Sequence, residues 1–414
     1  MRIVPPAIGA PYPRPPSPRL HGEGGSMRRS ADVVVIGAGA VGAAVAWFAT
    51  RAGLTVQVLE RGQIAGGTSS ACEGNLLVSD KEAGPELDLA LYSHDVWTGE
   101  LDEYAGLWEF ERKGGLVVAA SSTGAEGLRA LAVRQRAAGI EVTDVPADRI
   151  ADYEPYLTDG LAAAAHYPQD CQAQPMLVTA HLLRMAREAG AGVSTGTTVT
   201  GLLRDGDRVV GVRTDRGDLT AGAVVNAAGT WAGEVAALAG VRVPVMPRRG
   251  FVLVTEPLPP TVFHKVYAGE YVASTQSSEE GLQTSTVIES TAAGTILVGS
   301  SRERVGFDRT VSLPALREIA AKALTLYPSL KDTSVMRSYL GFRPYCPDHL
   351  PVIGHDPRAP GLWHAAGHEG AGIGLSVGTG KLLAQALSGV APDLELTPFA
   401  PERFGDQVLR ETPA

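Results

Sequence analysis

Cysteine is scarce: Cys72, Cys171 and Cys346 are the only three in 414 residues. No Cys-x-x-Cys or Cys/His spacing occurs, which excludes the usual zinc patterns, and three isolated thiols cannot hold an iron–sulfur cluster on this chain. Such usage suits a reducing cytoplasm. Charged residues are also few, at 20%, and the balance is acidic, with a formal net charge of −9. No basic field exists to release phosphate counterions, which argues against nucleic acid as a standing partner. Long apolar runs are missing too. The most apolar stretch, Ala31 to Thr50, is broken by glycines and reads as strand, turn and helix, not as a membrane span. No segment has the charged, apolar and cleavage regions of a signal peptide.

What is abundant is glycine, 49 residues gathered into a few runs, together with enough apolar residues (44%) for a large core and two domains. Residues 1–26 are dense in proline and offer little to pack, so they read as a disordered extension ahead of Met27.

Val33 to Ile36 is a continuous apolar run, the pattern of a strand buried on both faces. Gly37-x-Gly39-x-x-Gly42 follows and opens an Ala-rich helix, with Ala40 and Val41 in its first turn and a stop at Gly53. Thr55 to Glu60 is a second strand. In this βαβ setting Gly37 permits a tight turn, Gly39 lets backbone approach a pyrophosphate, and Gly42 lets helix and strand lie close. The helix N-terminus favours phosphate, and Glu60, closing the second strand, suits a ribose 2′-OH.

NAD and FAD share this fingerprint, and other segments decide between them. Arg61 to Ala71 is rich in small and hydroxyl residues, including Thr68, Ser69 and Ser70, as expected of a loop over a long ligand. Val224 and Val225 lead through Asn226 into Ala227, Ala228, Gly229 and Trp231, a strand that ends in small residues. A second glycine-rich helix start, with Gly367, His368, Glu369, Gly370, Gly372, Ile373 and Gly374, is not needed for NAD. For FAD it is useful, because a helix N-terminus aimed at the flavin N1–C2=O edge stabilises the charge of reduced flavin. Helical periodicity recurs at 86–105, 123–138, 175–190, 312–327 and 372–388, and residues 251–310 are β-rich.

These motifs resemble those of the D-amino-acid oxidase superfamily of flavoproteins, which includes glycine oxidase and the sarcosine oxidases, from about Ala31 to Gly389. The resemblance rests on Gly37-x-Gly39-x-x-Gly42 with Glu60, on Asn226 to Trp231, and on Gly341-Phe-Arg343-Pro344 with the 367–374 run. Further stretches, Cys72 to Lys81, Gly299 to Arg302 with Val305 to Asp308, and Arg343 to Gly354, resemble the flavin subunits of heteromeric dehydrogenases. Those enzymes act on D-hydroxyproline or opines, or make hydrogen cyanide from glycine.

The resemblance implies an α/β fold: a Rossmann-like FAD-binding domain of the GR2 type carrying an inserted antiparallel β-rich substrate domain. Residues 27–85, 150–240 and 341–392 are expected in the first, 86–149 and 241–340 in the second, and 393–414 in a C-terminal tail. Gly74, Asn75, Leu76, Thr198 and Val199 join the expected cofactor contacts. Arg343 is expected to hold a substrate carboxylate by two parallel hydrogen bonds, which lysine cannot do; the competing expectation is a structural pair with Asp348. His368 is expected either to meet the flavin or to fix its own loop, and Tyr345, His181 and Tyr271 are candidates for the pocket wall. Cys346 is misplaced for a covalent flavin link, so the expected FAD is non-covalent.

The implied reaction is hydride transfer from the carbon beside nitrogen in a small amine or amino acid to flavin N5. Partner chains, an iron–sulfur protein and a second flavoprotein, are implied by the dehydrogenase branch. A self-contained oxidase making hydrogen peroxide is the alternative. A flavin-binding chain without catalysis of its own is a third reading.

Overall fold

A computed structural model describes residues 28–269 and 277–405. The apolar run at the start of the chain forms the strand Ser30–Ile36, with Val33, Val34 and Val35 almost wholly buried. It pairs in parallel with Val56–Leu59 on one side and with Gly217–Asn226 on the other. The sheet extends through Gly192–Ser194 at one end and through Leu362–Ala366 and Val352–His355 at the other. A hairpin of Val199–Asp205 and Arg208–Thr214 continues from Gly217–Asn226. Three helices lie together against this sheet: Ala40–Arg51, Pro175–Glu188 and Gly372–Leu387. Small residues let the first and last approach closely, with Gly380 of one against the backbone of Ala44 in the other.

The second sheet has eight strands in the order Val335–Tyr345, Met246–Pro257, Thr295–Arg302, Gln283–Ser290, Lys265–Ala268, Gly115–Ala119, Ala163–Tyr167 and Thr143–Pro146. Every printed pairing is antiparallel except that of Lys265–Ala268 with Gly115–Ala119. The helix Leu313–Leu326 covers one face, burying Ala315, Ile319, Ala323 and Leu326 at helical spacing against Phe251, Ile288 and Val298. A core of its own and a mostly antiparallel sheet make this a distinct β-rich unit beside the parallel one.

The sheets redraw three expected boundaries. Ala163–Tyr167, within the segment 150–240, pairs in the second sheet. The helix Pro85–Asp95, expected with the substrate unit, packs on Gly372–Leu387, where Ser93 Oγ accepts from Gly378 N at 2.9 Å. The strand Val335–Tyr345 runs unbroken across residue 341 and carries Arg343 on the second sheet. The helical pattern over 86–105 also stops early. After Asp95 the chain widens into one loose turn at Val96–Glu100, then tightens into 3₁₀ turns at Asp102–Trp108. Packing overrides periodicity here: buried Trp97 and Trp108 meet edge to face at 5.8 Å. Residues 1–26, Tyr271 and the end of the tail beyond Gly405 lie outside the described residues.

Among the described residues, no helix is long and apolar enough to cross a membrane, and no group of His, Cys, Asp and Glu is placed to hold a metal ion.

Candidate active site

The strand Ser30–Ile36 ends at Gly37, whose φ of +110° and closeness to Ala227 O (2.5 Å from where a Cβ would stand) admit only glycine. A Cβ at Gly42 would overlap the Gly37 carbonyl oxygen, so the helix can lie on the turn only if residue 42 has no side chain. Glu60 fixes the same turn from the next strand. Its carboxylate accepts from Ala38 N at 2.9 Å and from Gly62 N at 2.7 Å, and still has lone-pair capacity for a hydroxyl. Ser69 Oγ accepts from Ala40 N at 3.0 Å and keeps its own proton to donate.

Gly37, Glu60 and Ser69 line a cavity of about 330 Å³ bordered by both sheets. The Arg61 guanidinium lies 4.2 Å over the Trp231 ring, and Trp231 stacks on Phe307 at 5.1 Å. Thr198, Val199, Ala227, Ala228 and Gly229 also line it. Gly370, Gly372 and Ile373 bring the N-terminus of the sixteen-residue helix Gly372–Leu387 to the cavity wall. Gly74, Asn75, Glu73 and Arg343 complete the lining considered below.

Three segments remote in sequence are tied over the cavity by one atom. The Phe342 carbonyl oxygen accepts from Thr68 Oγ1 at 2.6 Å and from Thr230 Oγ1 at 2.8 Å, using both lone pairs. This joins the loop after Glu60 and the end of Gly217–Asn226 to the strand that carries Arg343.

Arg343 projects into the cavity over Gly250, where the lack of a side chain leaves room for the guanidinium, and Nη1 donates to Ser301 O at 2.7 Å. Asp348 instead pairs with Arg403, at 2.7 Å from its Nε. His368 lies in the wall but is buried, and Nε2 meets Thr379 Oγ1 at 3.0 Å. Burial in apolar surroundings pulls its imidazole down to about 3, so it is neutral at physiological pH. Glu369, partly buried beside Arg248 at 2.7 Å and His349 at 3.0 Å, is held below the usual carboxylate range against the cost of its desolvation.

Most of the residues singled out from sequence border this cavity: Gly37, Gly39, Ala40, Val41, Glu60, Arg61, Thr68, Ser69, Gly74, Asn75, Thr198, Val199, Ala227, Ala228, Gly229, Trp231, Arg343, His368, Glu369, Gly370, Gly372 and Ile373. Others stand behind the wall. Gly42 and Gly374 permit close packing, Gly367 turns the chain with a φ of +76°, Ser70 bonds back to Gly67 O, and Leu76 pairs with Cys171. Tyr345 is off the cavity, buried with the guanidiniums of Arg248 and Arg304 over its ring. His181 lies on Pro175–Glu188, away from the cavity. Cys346 is buried and its thiol pushed far up by that burial, which makes it a poor nucleophile for a flavin. Glu73, Thr197 and Thr230 were not legible as site residues; nothing in their spacing marks them.

The donor set fits a flavin dinucleotide: a glycine cradle that a side chain would fill, an acid at the end of the second strand, and two helix N-termini at the cavity wall. A family model described as FAD dependent oxidoreductase matches residues 32–386. The hydrogen cyanide synthase subunit HcnC of Pseudomonas aeruginosa is 28% identical over 91% of this chain and 97% of its own. The glycine oxidase of the same organism is 30% identical over 89% of this chain and 98% of its own. The crystal structure of glycine oxidase from Geobacillus kaustophilus superposes with a TM-score of 0.82 at 28% identity, covering 91% of this chain and 99% of that one.

Proposed function

The chain belongs to the FAD dependent oxidoreductase family, and from that premise we propose that it oxidises the C–N bond of a small amino acid or secondary amine as the flavin subunit of a dehydrogenase. The observation that carries this reading is Arg343, a guanidinium in the cavity wall beside Gly370 and steered by the Ser301 carbonyl. Such a group holds a carboxylate by a pair of charge-assisted hydrogen bonds, and so sets the distance and face at which the neighbouring carbon is presented. FAD, held non-covalently, would supply the two-electron acceptor for the carbon beside nitrogen.

The protein's share is binding, orientation and exclusion of water. The turn at Gly37 to Gly42 with Glu60 would hold the dinucleotide, and the helix Gly372–Leu387 would offer its positive end to negative charge on the ring. Neutral His368 braces this helix through Thr379 and adds no charge of its own. The oxidised product is an imine, which water hydrolyses.

The subunit reading draws on HcnC, itself named a synthase subunit and alike over nearly its full length. A self-contained oxidase is the second reading, favoured by the similarity to glycine oxidase over 98% of that protein. A cytoplasmic location is proposed from the sparse, unpaired cysteines.

The test is anaerobic mixing of the holoprotein with glycine, sarcosine, proline, D-hydroxyproline and an opine while flavin absorbance is followed, then admission of air. Bleaching that persists in air is expected. Rapid recovery with peroxide would favour the oxidase, and no bleaching by any of them would remove the amine-oxidising reading.

A further inference from the structure

Arg343 accounts for one end of an amino acid and leaves the other end unassigned. Among the buried polar atoms of the described residues, few lack a hydrogen-bond partner, and one of them, Glu73 Oε1, belongs to a residue of the cavity wall. Glu73 is only 7% exposed. Its other oxygen accepts one long bond, 3.4 Å, from Asn75 Nδ2. A buried carboxylate so poorly satisfied is costly, and persists where something else completes it.

The surroundings narrow what that is. Lys265 is a cation of this hydrogen-bonded cluster, and it is engaged with Glu289 at 3.1 Å and with Asn75 Oδ1. Because Asn75 accepts from Lys265 through its oxygen, its amide nitrogen is turned toward Glu73, which fixes the carboxylate without neutralising it. Glu289, wholly buried, is pushed upward by that burial, with Lys265 opposing and Glu73 adding to the rise. Lys265 and Lys113 thus face Glu289, and neither is hydrogen-bonded to Glu73. The group that would complete the Glu73 carboxylate is a cation entering from the cavity.

Arg343 Nη1 occupies the place of a side chain at Gly250, and Glu73 Oε1 occupies the place of a side chain at Gly299. These glycines lie on neighbouring antiparallel strands of the second sheet, and Arg343 and Glu73 both border the one cavity. A carboxylate and an amine on one carbon bring opposite charges to those two groups.

We propose that Glu73 is the amine-binding residue of the site: its carboxylate, in the cavity wall, receives the ammonium of the substrate whose carboxylate Arg343 holds. This deepens, and rests on, the reading of the chain as an amino-acid oxidoreductase. It makes the site selective for zwitterions. A carboxylate without an amine meets Arg343 favourably and Glu73 unfavourably, whereas an α-amino acid satisfies both.

The test uses the holoprotein and matched pairs that differ only by the amine: glycine and acetate, alanine and propionate, proline and cyclopentanecarboxylate. Binding is read as perturbation of the flavin absorbance, separately from bleaching. In the wild type the amine-bearing member of at least one pair is expected to bind the tighter. Glu73→Gln is expected to weaken that member about 10-fold or more, as loss of a charged hydrogen bond does. The amine-free member should bind as well or better, since a negative charge near it has gone. Glu73→Asp, which keeps the charge, should recover part of the amino-acid affinity, and a bound-flavin spectrum like that of the wild type confirms the variants are folded.

Equal weakening of both members, or of neither, overturns the proposal. So does a Glu73→Gln variant whose ligand-free flavin spectrum or FAD affinity changes while the pair stays level, which would place the carboxylate on the cofactor. Absence of bleaching in the wild type is a different failure. It would count against the reaction proposed above while the binding comparison still judged Glu73.

Discussion

Arg343 Nη1 donates to the main-chain carbonyl oxygen of Ser301 at 2.7 Å, so the head group in the cavity wall is steered by the backbone of a second strand. Arg343→Ala should leave FAD bound and lower kcat/KM about 100-fold, the loss of one or two charge-assisted hydrogen bonds at roughly 1.5–3 kcal/mol each. Arg343→Lys should recover only part, because a point charge cannot grip a carboxylate along two parallel bonds. Steady-state kinetics on whichever substrate bleaches the flavin decides this. Unaltered kinetics in both variants would move the carboxylate site elsewhere.

Gly42→Ala puts a methyl group into the Gly37 carbonyl oxygen, a main-chain atom that cannot step aside without opening the turn. Overpacking of this kind costs about 1–3 kcal/mol. The variant should purify with most of its FAD missing and with a lowered Tm, both measurable on one sample by absorbance ratio and thermal unfolding. Full FAD content would mean that the turn tolerates displacement.

Glu60→Gln keeps the shape and removes the charge that holds Ala38 N and Gly62 N. The amide can accept one of these N–H groups but presents its own donors to the other. FAD affinity should fall about 10-fold, followed by equilibrium dialysis of the apoprotein. An unchanged Kd would take Glu60 out of cofactor binding.

His368 makes stability depend on pH in a definite direction. Its ordinary value is 6.5 and burial pulls it down to about 3, so between these limits the unfolded chain takes up a proton that the folded one refuses. The contribution is intact above pH 6.5 and is lost as pH falls toward 3, with a slope of at most about 1.4 kcal/mol per pH unit. Other histidines lowered by burial, His364 among them, act in the same sense. The comparison is therefore with His368→Gln, whose Tm should decline less steeply between pH 6.5 and 5. Parallel curves would mean that this imidazole ionises in the fold.

The cofactor half of the site was legible because its signals are local. A buried apolar run, a glycine turn, an Ala-rich helix and an acid at the end of the next strand stand within thirty residues of each other, and each has a steric or dipolar reason. The substrate half was not. Glu73 gains its character from its neighbour Asn75 and from Gly299 and Lys265, which reach it from the second sheet. Tyr345 follows Arg343 by two residues, yet lies under Arg248 and Arg304 because the cavity ends before it. The misplaced domain boundary has a similar origin: Ala163–Tyr167 begins with three alanines, which carry little β preference, and becomes a strand by pairing with Gly115–Ala119.

The two hydrogen bonds that the Phe342 carbonyl oxygen accepts from Thr68 and Thr230 bear on when the protein can acquire its cofactor. The glycine turn is among the first described parts to leave the ribosome, whereas Phe342 and the helix Gly372–Leu387 are among the last. An emerging chain can form the turn but has nothing to close over it. FAD therefore meets a complete cleft only after Phe342 and that helix have been made, and a chain cut short before Phe342 should emerge colourless, with its phosphate-binding turn still exposed to water.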